Sequence, residues 1–166
     1  MDCKETFSPV TRYTSIIAMM SLVSVMGCKI HQMDVKTTFL NGIIEEEVYI
    51  EQPQGFEVNG KESHLCRIKK ALYGLKLASR AWYSRINGYF LSMGFTKSET
   101  YPNLYYIFIG TDLLILVLDV DDMFLTSAEN LMMGCKVDMA IEFKMKDIDM
   151  MHYLLISYLI TRLGFR

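Results

Sequence analysis

The feature that most narrows what this chain can fold into is the run Leu113-Leu114-Ile115-Leu116-Val117-Leu118-Asp119-Val120-Asp121-Asp122. Its apolar part reads as a strand, and the strand ends in three acids within four positions. Like charges crowded at a strand tip repel one another unless a cation sits among them. Side chains alternate along a strand, so neighbouring acids share a site only where the chain turns between strands. A tight hairpin at Asp121-Asp122 brings both carboxylates to one place. A further acid on a neighbouring strand, Asp34 in Gln32-Met33-Asp34-Val35, completes the set. Such oxygen ligands suit Mg²⁺ or Mn²⁺. Two ions about 4 Å apart form a clamp that activates one phosphate oxygen and neutralises the leaving one.

Other readings of these acids stand beside that one. The plainest is an exposed acidic turn. A calcium loop starting at Asp119 fails, because its sixth position is Phe124 where Gly is needed and its twelfth is Asn130 where Glu is needed. A phosphohydrolase of the haloacid-dehalogenase type also runs an apolar strand into Asp-x-Asp, but there the motif lies early in the chain.

Around this motif the pattern is mixed. Thr14 or Ser15 can cap a helix that runs to about Met26, with Gly27 after its end. Residues 29–35 read as a strand, Asn41-Gly42 as a turn, Glu45-Glu46-Glu47 as a solvated face, and 48–50 as a short strand before the Pro53-Gln54-Gly55 turn. A strand over 64–68 precedes Lys69-Lys70. Apolar residues from 78 to 93 recur at helical spacing, and Gly94 supplies a stop. Residues 105–109 and 113–118 form a hairpin about Gly110. Another strand follows Asp122, then a helix over 128–143, and an apolar stretch over 153–160. This order predicts an α+β fold. No repeat or linker is visible, so residues 1–166 read as a single domain.

Composition supports a packed protein and excludes some classes. Hydrophobic residues make up 51% and charged residues 22%, which rules out wholesale disorder. The net charge of −2 does not announce a nucleic-acid binder. The four cysteines lack the close spacing of a zinc site and are too sparse for a disulfide scaffold. The start, Met1-Asp2-Cys3-Lys4-Glu5, lacks the basic and apolar run of a signal peptide. No apolar stretch reaches the roughly 20 residues of a membrane span. The expectation is an intracellular protein, neither secreted nor membrane-bound. Positive charge clusters at Arg67, Lys69, Lys70, Lys76, Arg80 and Arg85, with Tyr73, Trp82 and Tyr83 interleaved. Such a stretch can neutralise phosphates and stack on bases. Equally, Trp82, Ile86 and Phe90 at helical spacing read as a buried stripe, with Arg80 and Arg85 solvated.

Taken in order, several segments resemble the reverse transcriptase of copia-type LTR retrotransposons. They are Glu5-Thr6-Phe7-Ser8-Pro9-Val10, His31-Gln32-Met33-Asp34-Val35-Lys36-Thr37 and Phe39-Leu40-Asn41-Gly42. Further on come Glu45 to Pro53 with Gly55-Phe56, then Leu72-Tyr73-Gly74-Leu75-Lys76, Arg80 with Trp82-Tyr83, and Val120-Asp121-Asp122-Met123. The resemblance implies a polymerase palm: an antiparallel sheet with packed helices, incomplete fingers and no thumb. It implies template-directed DNA synthesis, with a primer 3′-hydroxyl attacking a dNTP on an RNA or DNA template. Asp34, Asp121 and Asp122 would be the catalytic acids and would hold two Mg²⁺ or Mn²⁺ ions. The carbonyl of Val35 would reach a metal, Lys36 would lie by the nucleotide, and Phe39 would screen out a ribose 2′-hydroxyl. Arg67, Lys69, Lys70, Lys76 and Arg80 would face nucleic acid.

The chain also departs from the family's pattern. Asp119 stands where an aromatic is usual, Leu77 replaces a polar residue, Ile17 replaces an Arg, and Leu154-Leu155-Ile156 replaces Phe-Leu-Gly. A carboxylate about 7 Å from the primer phosphates would repel them by roughly 2 kcal/mol at an effective dielectric near 20. The expectation is a truncated, degenerate copy with weak or no activity, lacking fingers, thumb and RNase H portions of a parent polyprotein. A non-catalytic remnant that binds nucleic acid or a partner chain is the alternative.

Overall fold

In the computed structural model, which describes residues 13–61, 63–75 and 77–150, the apolar run lies within β6 (Asp112–Asp119). Leu114 to Leu118 are all buried, so both faces of this strand are covered. The strand belongs to a six-stranded sheet of order β4-β5-β6-β7-β1-β8, every pairing antiparallel. Its other members are β1 (His31–Val35), β4 (Thr96–Lys97), β5 (Leu104–Ile109), β7 (Asp122–Thr126) and β8 (Met145–Met150). One face carries α1 (Tyr13–Met26), whose Ile16 and Met19 pack with Leu104, Ile115, Val117 and Phe124. The opposite face carries α3 (Glu129–Phe143), whose Lys136 reaches His31 and Asp147.

The sheet and these two helices form one of two units, residues 13–36 with 90–150. The other comprises residues 37–89. That second unit holds a 3₁₀ turn (Thr38–Asn41), β2 (Ile43–Ile50), β3 (Cys66–Lys70) and most of α2 (Ala78–Ser92). β2 and β3 pair antiparallel over a core of Ile44, Ile68, Ala71 and Ala78. Gly42 is required where the chain crosses α2: a Cβ there would lie 2.7 Å from the backbone nitrogen of Trp82.

The α+β class with an antiparallel sheet matches the sequence expectation. α1 starts at Tyr13, so Ser15 sits buried in its first turn and neither Thr14 nor Ser15 is the cap. The Glu45–Glu47 run is exposed but lies inside β2, which is longer than the expected 48–50. β3 is shifted two residues from 64–68. Two strands, β4 and β8, were not expected at all. The segments 5–10 and 153–160, including Leu154-Leu155-Ile156, lie outside the described residues, as does Lys76. Among the described residues no helix is long and apolar enough to cross a membrane.

Candidate active site

The three acids singled out in the sequence come from segments far apart in the chain, and the sheet brings them together. β1 and β7 are neighbours, and Asp34 is the cross-strand partner of Asp122. β6 and β7 are joined by the two-residue loop Val120-Asp121, so the turn is centred one residue earlier than expected. Asp122 therefore opens β7, and its partner on β6 is Asp119. The loop is also fastened to β1, because the N–H of Val35 donates to the carbonyl of Asp121 at 2.9 Å. Asp34, Asp119 and Asp122 are half-buried and Asp121 is exposed.

Paired residues of an antiparallel ladder project to the same face. Asp119, Asp122 and Asp34 thus form a row across β6, β7 and β1, and Lys146 of β8 stands opposite Asp34 at its end. Burial pushes the Asp122 carboxyl above the usual carboxylate range. The charges of Asp121, Asp34 and Asp119 push it the same way, while a hydrogen bond from Gln32 pulls it back. That bond runs from Gln32 Nε2 to Asp122 Oδ1 at 2.8 Å. Gln32 is two residues before Asp34 and so faces the same way. The sequence reading missed it, although the period of two along β1 was the signal that could have found it.

The loop is strained. Val120 has φ 53°, a left-handed conformation disfavoured for a β-branched residue. The β5–β6 loop, which places Gly110 at its first position with φ 64°, uses the residue type suited to that backbone.

The remaining expected residues are dispersed. Lys36 is exposed just past β1. Phe39 belongs to the other unit, on the 3₁₀ turn, with its ring edge-on to Tyr73 at 4.9 Å between centroids. Arg67, Lys69 and Lys70 are exposed on β3 and Arg80 is half-exposed on α2, also in that unit. Arg67 pairs with Glu47 at 3.3 Å and Arg80 with Glu46 at 3.8 Å. Arg85 Nη1 donates to the carbonyl of Asn41 at 2.6 Å, so this cation is engaged by the chain and not simply solvated. Trp82, Ile86 and Phe90 are buried, as a packing stripe requires.

A second cluster lies at the other end of β1. Ligand atoms of His31, Asp147 and Asp149 lie within 4.8 Å of one another, the single such trio among the described residues. A cation already serves it: buried Lys136 donates to Asp147 at 2.8 and 3.0 Å and to His31 Nδ1 at 2.6 Å. The oxygens of Asp34, Asp121 and Asp122 do not all approach that closely, which accords with repulsion among like charges.

Comparison with known proteins bears on this arrangement. A family model described as reverse transcriptase (RNA-dependent DNA polymerase) matches residues 1–162. The chain is 41% identical over 150 residues to the retrovirus-related Pol polyprotein from transposon TNT 1-94 of Nicotiana tabacum. It is 35% identical over 156 residues to the corresponding polyprotein from transposon RE2 of Arabidopsis thaliana. These alignments cover 89% and 93% of this chain but 11% of each relative, so the chain spans about a ninth of their length. No solved structure matches it.

Proposed function

The chain belongs to the reverse transcriptase family carried by copia-type retrotransposon Pol polyproteins, and from that footing we propose that its six-stranded sheet is a polymerase palm for two-metal nucleotidyl transfer. The observation that carries this reading is the pairing of Asp34 with Asp122 beside the loop that holds Asp121. The donor set fits divalent ions. Carboxylate oxygens are the hard ligands that Mg²⁺ and Mn²⁺ favour; burial first, and then the charges of Asp121, Asp34 and Asp119, raise the Asp122 carboxyl. Asp34, Asp121 and Asp122 would hold the ions, with the Val35 carbonyl close by. Bound there, two such ions supply Lewis-acid activation of a primer 3′-hydroxyl and neutralise charge at the dNTP α-phosphate.

The chain's own residues bind and orient. Lys36, next after Val35, lies in reach of a nucleotide phosphate, and Phe39 screens the sugar. Arg67, Lys69, Lys70 and Arg80, with Lys76, meet the RNA or DNA strand, where phosphates compete with Glu46 and Glu47 for two of the arginines. The reaction takes place inside the cell, on a domain of a larger polyprotein. Its rate in this chain is low, because Asp119 adds negative charge beside the primer phosphates.

Primer extension by the full chain with Mn²⁺ tests the reading. Slow dNTP incorporation is expected, falling by about a thousandfold or more in Asp121→Asn and in Asp34→Asn, as loss of a main charge-stabilising group does elsewhere. No incorporation at all, or incorporation that survives either substitution, overturns it.

A further inference from the structure

We propose that Asp119 is a fourth carboxylate donor to a divalent cation, acting with Asp122 and the side-chain amide of Gln32. This rests on the reading of Asp34, Asp121 and Asp122 as an ion-binding set and extends it to a residue that the family pattern fills with an aromatic.

The register carries the inference. Asp119 and Asp122 close the Val120-Asp121 loop as cross-strand partners, and Asp122 is in turn the partner of Asp34. Directly opposed residues hold their Cβ atoms about 5 Å apart on one face. Asp119 and Asp122 therefore stand side by side on adjacent strands, a spacing that a single ion coordinated at about 2 Å can bridge once the side chains rotate toward it. Asp34 lies a second strand spacing away, about 10 Å from Asp119, and meets only an ion on the far side of Asp122. Asp119 cannot leave this row without changing the hairpin register, since a slip of one residue would turn Leu118 outward and Asp119 to the other face.

Gln32 supplies the independent observation. Its side chain is 6% exposed, and its Nε2 donates to Asp122 Oδ1. Its Oε1 is buried with no hydrogen-bond partner. A buried amide oxygen in this state forgoes the interaction that would offset its desolvation. Because both atoms belong to one amide, that oxygen lies beside the Asp122 carboxylate, on the face that carries Asp34 and Asp119. It is a neutral oxygen donor of the kind that Mg²⁺ and Mn²⁺ accept. A cation held among these groups would partner the orphaned oxygen and offset the repulsion within the row. Lys146, at the far end beyond Asp34, brings one positive charge to the row.

The test is Mn²⁺ binding by the full chain, followed by electron paramagnetic resonance and isothermal titration without nucleotide or primer. Asp119→Asn keeps the side-chain shape, and its affinity is expected to fall roughly tenfold, the lower end of what loss of a metal-site partner costs. Asp119→Glu keeps the charge and should restore most of the affinity, which separates ligation from misfolding. Gln32→Met should weaken binding in the same direction. Unchanged affinity in Asp119→Asn, with binding lost in Asp34→Asn and Asp121→Asn, overturns this inference and leaves the catalytic reading standing. No Mn²⁺ binding by the unsubstituted chain at millimolar concentration overturns both. Binding that disappears in His31→Gln places the ion at the other cluster and also overturns the inference.

Discussion

If Asp122 holds a cation as proposed, it is the residue on which stability and function pull in opposite directions. Its carboxyl is raised by burial first and then by its acidic neighbours. Between the ordinary carboxylate range and its own folded value, the folded protein holds a proton that the unfolded chain has released. Stability therefore falls as pH rises through that window, and above it the repulsion is fully present. Without divalent cation, Asp122→Asn is expected to raise the melting temperature near neutral pH, and the gain should vanish below the ordinary carboxylate range. The Gln32 bond survives the substitution, since an amide oxygen still accepts from Nε2. A melting temperature unaltered by the substitution near neutral pH would show that the acids do not repel. The aspartates themselves were legible in the sequence because three acids at a strand tip are conspicuous. Gln32 was not, because one glutamine on a strand carries no signal until the register places Asp122 beside it.

Among elements, β8 is held to the sheet by a buried charge. Lys136 is almost wholly enclosed, whereas the side chain of its partner Asp147 is 43% exposed. Removing the lysine leaves an acid that water can reach, but removing the acid leaves an enclosed ammonium with only His31 as acceptor. Lys136→Met should cost about 1 kcal/mol and Asp147→Ala about 3 kcal/mol, measured by urea unfolding. The reverse order would count against this account. Burial, and then the nearby Lys136, hold His31 below its ordinary 6.5, so the folded state resists its protonation. Burial raises Asp147, but hydrogen bonds from Lys136 and the Asp149 N–H outweigh it and hold the carboxyl low. Both contributions are lost in acid: that of His31 as pH falls below 6.5, that of Asp147 as pH falls through its depressed value. β8 escaped sequence reading because half of Met145-Lys146-Asp147-Ile148-Asp149-Met150 is charged, and its pairing with β1 contains an irregular register between Gln32 and Met33. β4 escaped because two residues, Thr96 and Lys97, hold no period.

At the scale of the whole molecule the governing quantity is charge. The chain carries −2 overall, and acids of β2 already engage Arg67 and Arg80. Nucleic-acid binding should accordingly be weak at physiological salt. Glu47→Gln releases Arg67 for a phosphate, which should tighten primer–template binding and steepen the slope of log affinity against log salt by about one unit. A slope that stays the same would mean that Arg67 does not meet the strand. The sequence by itself determined the α+β class, the helices, the β5–β6 hairpin and the family, because helical and strand periodicity are local and the motif segments follow one another in order. Only the tertiary structure decided that β1 lies between β7 and β8, that Asp34 faces Asp122, and that Asp119 stands in the same row. Strand order and register depend on contacts between residues ninety or more positions apart, such as Gln32 with Asp122 and His31 with Met150, and no local pattern specifies them.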